Sequence, residues 1–374
     1  MIGTPQALRE AAISLTGLSD FGPDDIGDGL CVLVESLNRE AALTEKGTRA
    51  ARAIVRGALT ARLVSEAGFA SFPSQPEIAR PVFVTGLPRT GTTFLHRLLT
   101  ADTACQGLEL WLAEAPQPRP PRQEWESNLT YNFVKQGLEK HRTARPSFSG
   151  VHDMGADQVE ECWQLLRQSM RSVSFECLFS LPGYSSWLAD ADWTPAYRRH
   201  KRNLQLIGLD DTRRWVLKNP SHIFALDALL TVYPDALVVV THRDPVVAIA
   251  SMCSLAAQAS AGWSSVFQGP VIGAEQLALW SRGWASFSAA RTRYPDSRFL
   301  DVGYHELVSD PLGVVRRIYS RLGAELSDAA SEAMRPLTVP DAGGGTHRYS
   351  LSDFGLTAGE VTAALGAAHP RAAP

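Results

Sequence analysis

Residues 81–97 read PVFVTGLPRTGTTFLHR, an apolar, β-prone run that breaks into a Gly-rich turn and then a helix. A buried strand feeding a helix through so short a turn commits this part of the chain to an α/β arrangement. Gly86, Gly91 and Thr93 fall on the template G-x-x-x-x-G-K-[ST], in which backbone N–H groups and the positive end of the following helix surround an anion. The Lys of that template is Thr92 here. Nucleoside-triphosphate enzymes use the Lys on the β- and γ-phosphates, so its loss argues against ordinary phosphoryl transfer. Arg89, inside the turn, supplies positive charge instead.

Two further segments have the same layout. Residues 236–254, ALVVVTHRDPVVAIASMCS, contain a buried-type strand over 237–241, then Arg243, then a helix begun near Pro245. Arg243 and Ser251 are eight positions apart, so a guanidinium at the strand end and a hydroxyl about two turns into the helix could meet one phosphate. Between the two segments, residues 215–222 form a third strand that ends in Lys218. Strand ends of a parallel sheet converge on one crevice, which gathers Arg89, Lys218 and Arg243 around a doubly anionic ligand.

The pattern G-x-P-R-T-G-T-T after a strand, joined to strand-Arg-x7-Ser, resembles the sulfotransferases that use 3′-phosphoadenosine 5′-phosphosulfate (PAPS), closest to the tyrosylprotein and bacterial small-molecule branches. The resemblance implies an α/β fold, a P-loop-like parallel sheet flanked by helices. It also implies that Gly86, Pro88, Arg89, Thr90, Gly91, Thr92 and Thr93 cradle the 5′-phosphosulfate and that Arg243 and Ser251 hold the 3′-phosphate. Lys218 would meet the bridging oxygen or the transferred group. The segment 303–311, GYHELVSDP, is similar to the family's Y-E-D-L-x-x-D-P, which sets Tyr304 near the nucleotide, although His305 replaces the usual acidic residue. Residues 351–357 look like the ending of the bacterial branch, and the Gly run before them makes His347 or Arg348 a closing contact on a phosphate.

Sulfuryl transfer passes in line through a loose transition state that cations and N–H groups stabilise without a metal, and the acceptor hydroxyl needs a base. Glu109 stands roughly where the tyrosylprotein branch carries its catalytic Glu and is the first candidate. His152, with Asp153 alongside, is the alternative. Asp157, Glu160 and Glu161 read as compensation for a helix dipole. The expected activity is sulfation of a hydroxyl on a small, partly apolar acceptor. A kinase-like phosphotransferase, which needs the missing Lys, and a non-catalytic nucleotide-binding protein are the competing classes.

Composition narrows the partners. The chain has 374 residues and a net charge of −3, which carries no nucleic-acid-binding signature. Its five cysteines and nine histidines include no C-x-x-C or H-x-x-x-H pair, so no metal site is expected. An odd cysteine count without an export leader points to the cytoplasm, and no window approaches the length of a membrane span. Residues 1–75 read as a helical N-terminal cap packed on a 76–374 core, the two forming one continuous globular unit. Within the core, 115–128 and 141–151 read as loops around a short helix and 157–180 as a long amphipathic helix. The stretch 255–275, with exposed-looking Trp263 and Phe267, reads as a mobile lid or an ordinary connector.

Overall fold

The computed structural model describes residues 1–23, 26–144, 154–339 and 350–366. They form two compact units: residues 1–77, 108–212 and 256–268 make one, and 78–107, 213–255 and 269–374 the other. The N-terminal segment therefore shares its unit with two later stretches of chain.

The second unit is built on a five-stranded parallel sheet in the order β2-β3-β1-β4-β5, with β1 Val82–Gly86, β2 Cys105–Gln106, β3 Arg214–Lys218, β4 Leu237–His242 and β5 Phe299–Gly303. Side chains alternate across the sheet. Val82, Val84, Val216, Leu237, Val239, Leu300 and Val302 enter one core cluster with Leu95 and Leu99 of helix Thr92–Thr100 and Val315 and Ile318 of helix Pro311–Arg321. Phe83, from the intervening set, packs on His222 and Tyr233, and Phe299 packs edge-on to Phe287 of helix Gly269–Arg291. Both faces are thus covered, which is why the strands read as unbroken apolar runs. The chain passes from β1 to β2 and β3 on one side, then crosses to β4 and β5 on the other. The order reverses at β1, and the crevice such sheets use for ligands lies at the carboxyl ends of β1, β3 and β4.

The first unit is helical. Helices Pro5–Thr16, Glu45–Ser71 and Thr194–Ile207 are placed by local signals: Thr4 and Thr44 cap the first two, Pro5 opens the first, and Gly17 closes it at φ +70°. Arg62, wholly buried, donates to the carbonyls of Phe21 (2.6 Å), Pro23 (2.7 Å) and Gln168 (3.1 Å). Arg199 pairs with Glu66 at 2.6 Å and with Gln168 at 3.0 Å.

Three expectations about this unit are corrected. The long helix expected over 157–180 is only Trp163–Arg167 followed by turns. The serines explain it: Ser172 and Ser174 bond each other at 2.7 Å, Arg167 donates to Ser174, and the Tyr184 hydroxyl takes the Ser172 N–H, so side chains outcompete the helical ladder. The aromatic residues at 263 and 267 are not displayed either. Phe267 is buried, Trp263 stacks on Phe179, and the segment is sewn to 41–44 through Ser264 to Ala41 (2.7 Å) and the Thr44 N–H to Trp263 (2.9 Å). That anchoring suits a connector and not a lid. Helix Leu129–Ala144 is also longer than expected.

His200 in the first unit and His96 in the second are fully buried. Burial holds both down to about 3, aided at His96 by the charge of Lys218. Unfolded histidine protonates near 6.5 and these do so only near 3, so their contribution is full above pH 6.5 and is lost as pH falls through that window. Between pH 7 and pH 5 each site should cost about 2 kcal/mol. A urea midpoint that falls over this range in the parent, and falls less in His200→Gln, is the expected result; parallel pH profiles for the two proteins would refute it.

Candidate active site

The second unit builds its polar site from four strand ends. β1 stops at Gly86, whose φ is +138° and whose added Cβ would lie 2.4 Å from the Thr241 carbonyl oxygen on β4. Only glycine permits both that angle and that approach. The turn continues through Arg89 at φ +68°, a left-handed conformation unusual for a side-chain-bearing residue, and Gly91 at φ +95°, which opens helix Thr92–Thr100. The N–H groups of that first turn have no intrahelical acceptors and point toward the loop. Thr90 is buried and fastens the turn, donating to the Leu87 carbonyl at 2.7 Å and sharing a 2.5 Å hydrogen bond with Thr241.

The side chains expected to bind an anion form two sets of contacts. Arg89 Nε donates to Ser251 Oγ at 3.1 Å, and Arg243 Nη1 donates to the Arg89 carbonyl at 3.0 Å. The Arg243 guanidinium lies 4.0 Å over the Tyr304 ring, which follows β5. Lys218, 1% exposed at the end of β3, donates to Thr93 Oγ1 at 3.1 Å. Pro88 and Thr92 are buried within the turn and the first helical turn. Ser251 reaches Arg89 because helix Pro245–Ala259 starts two residues after Arg243, and Asp244 caps it by accepting from the Val246 N–H at 2.8 Å.

Glu109 belongs to the first unit, where it precedes the short helix Leu110–Glu114 and bridges to Val159. Its Oε2 accepts from Arg119 Nε (3.1 Å) and Nη2 (3.0 Å), and Arg119 Nη1 donates to Asp211 at 3.0 Å. A carboxylate in that setting is oriented by the guanidinium. His152, Asp153, His347 and Arg348 lie outside the described residues. Among the described residues no three His, Cys, Asp or Glu side chains come together as a metal cage, and no helix is long and apolar enough to cross a membrane.

Sequence reasoning passed over two residues. Thr241 is the polar last-but-one residue of an otherwise apolar strand, a visible signal that a hydroxyl is needed there. His96 sits one turn beyond Thr92 and Thr93, bonds the Val216 carbonyl at 3.1 Å and so ties the helix to β3 just before Lys218. A histidine on an apolar helix face marks such a position only ambiguously.

Comparison with known proteins agrees with this geometry. A family model described as "Sulfotransferase family" matches residues 81–328. The crystal structure of sulfotransferase STF1 from Mycobacterium tuberculosis H37Rv is similar, with 51% identity, a TM-score of 0.92 and coverage of 98% of this chain and 99% of that one. Sulfotransferase STF9 from Mycobacterium avium shares 28% identity at a TM-score of 0.88, over 97% of this chain and 95% of its own. The omega-hydroxy-beta-dihydromenaquinone-9 sulfotransferase Stf3 of Mycobacterium tuberculosis is 26% identical over 280 residues, 73% of this chain and 70% of the relative. With the whole sheet and the anion loop inside the matched region, this chain belongs to the sulfotransferase family.

Proposed function

We propose that the protein transfers the sulfuryl group of PAPS to a hydroxyl of a small, partly apolar acceptor, without a metal, in the cytoplasm. The observation that carries the reading is the pair of contact sets Lys218–Thr93 and Ser251–Arg89–Arg243–Tyr304 at a loop whose first glycine, Gly86, leaves no room for a Cβ. Thr92, where a phosphotransferase would carry Lys, weighs against the kinase-like alternative. The acceptor class is supported by the Stf3 relative, whose name specifies a hydroxylated dihydromenaquinone. Five cysteines, none of them in a disulfide, suit a reducing compartment.

PAPS supplies an activated sulfuryl group on a good leaving group. In this reading the loop N–H groups and Arg89 hold the 5′ end, Arg243 and Ser251 hold the 3′-phosphate, and the Tyr304 ring steadies Arg243. Lys218 is buried and already oriented by Thr93, so its ammonium stabilises developing charge on the leaving oxygen without reorganising. Glu109, oriented by Arg119, takes the acceptor proton, and His152 is the competing base. His347 or Arg348 would complete the phosphate contacts.

3′-Phosphoadenosine 5′-phosphate should stabilise the protein without added metal, by ~2.7 kcal/mol at about 100 times its Kd, and ATP with Mg²⁺ should do so far less. Equal melting shifts for the two, or a strict Mg²⁺ requirement, would remove the donor assignment.

Arg243→Ala should weaken donor binding by at least about tenfold in a folded protein, since it deletes a charge-assisted contact worth roughly 1.5–3 kcal/mol. Ser251→Ala should weaken it less. Unchanged titration curves for both variants would move the 3′-phosphate elsewhere.

In single-turnover assays with a phenol acceptor, Lys218→Ala and Glu109→Gln should bind donor nearly normally and lose on the order of 10²–10³ in rate. If Glu109→Gln stays active and His152→Ala does not, the imidazole is the base.

A further inference from the structure

Arg243 and Tyr304 each follow directly on a strand, β4 and β5, and a cluster of charges joins these two strands just before they end. His242, the last residue of β4, points away from the loop and lies edge-on to Trp284 at 5.7 Å. Its Nε2 is 2.7 Å from Asp301 Oδ1 on β5. Arg291, in the last turn of helix Gly269–Arg291, grips the same carboxylate with both arms, Nη1 to Oδ1 at 2.8 Å and Nη2 to Oδ2 at 2.6 Å. Burial alone would push the Asp301 carboxyl up, but the hydrogen bonds from Arg291 and His242 outweigh it and hold it well below the ordinary carboxylate range. Apolar packing does not fill this region. A cavity of about 580 Å³, lined by His242, Trp284, Phe287 and Arg291 among others, opens beside the cluster. The ends of β4 and β5 are therefore joined here by a hydrogen bond between His242 and Asp301, with Arg291 on the same carboxylate, beside this cavity.

Building on the PAPS reading above, we propose that His242, Asp301 and Arg291 form a positioning clamp that fixes Arg243 against Tyr304 and so sets the protein's preference for a nucleotide bearing a 3′-phosphate. The geometry follows from the backbone. His242 and Arg243 are adjacent, so their side chains leave opposite faces of the strand end, and holding one sets the direction of the other. Asp301 stands two residues before Gly303, which pairs with His242, and the next residue is Tyr304. Anchoring Asp301 therefore also fixes the place of the ring on which the Arg243 guanidinium lies. None of the three clamp residues needs to touch the donor.

The test compares 3′-phosphoadenosine 5′-phosphate with adenosine 5′-phosphate, by calorimetric titration of the full chain. Asp301→Asn keeps the side-chain size and removes the carboxylate charge that Arg291 and His242 contact. It should lose about tenfold or more in affinity for the bisphosphate and less than about threefold for the monophosphate, because only the former uses Arg243. His242→Ala should behave alike, and His242→Gln, which retains an N–H for Asp301, should recover the preference. This pair decides the matter if Asp301→Asn does not fold. Equal losses for both nucleotides, or a folded Asp301→Asn that keeps the parental ratio, would overturn the clamp. A parent protein that binds the two nucleotides equally would overturn the PAPS reading itself, and the clamp's function with it.

Discussion

The contact between the Gly86 backbone and the Thr241 carbonyl governs the rest of the site. It sets Gly86 against Thr241 where β1 and β4 end, and no residue with a side chain can stand there. From that contact the turn is bound to run along the end of β4. Thr90 meets Thr241, and the Arg89 carbonyl comes within reach of Arg243. Arg89 then takes a left-handed backbone angle at some cost in energy, which the flanking hydrogen bonds sustain. The cations of the site are thus placed by main-chain geometry before any side-chain rotamer is chosen.

Lys218 shows how burial is made tolerable. An ammonium with 1% exposure would be expensive if unsatisfied, and here it meets Thr93 on the neighbouring helix. The same charge is felt by His96, whose imidazole is kept neutral by burial and by that neighbour. The lysine lies at a strand end, where an anion can be received, whereas the histidine lies one layer deeper and serves only to join helix Thr92–Thr100 to β3.

Much of the sheet unit was legible because its signals are local. An apolar run, a glycine turn and a helix start can be read within twenty residues, and the same is true of Arg243, Pro245 and Ser251. What escaped was decided by contacts distant in sequence. The serines at 172 and 174 look compatible with a helix until Tyr184 and Arg167 compete for the same backbone and hydroxyl groups. Trp263 and Phe267 look exposed until Phe179 and the strand-like pairing at Leu43 cover them. The motifs identified Glu109 without its partners, since Arg119 and Asp211 sit ten and about a hundred residues away and carry no pattern of their own.

Arg62 has a bearing on how this chain can be shortened. Its guanidinium holds two carbonyls from the segment that leads out of the first helix, and a third from beyond residue 160. In effect one side chain replaces the ladder that a strand would have provided. A protein trimmed of its first 26 residues would keep the arginine inside the helical unit with those two acceptors gone, and a desolvated cation short of acceptors destabilises what surrounds it. The amino-terminal helices are therefore part of the keystone of that unit, and not a detachable cover.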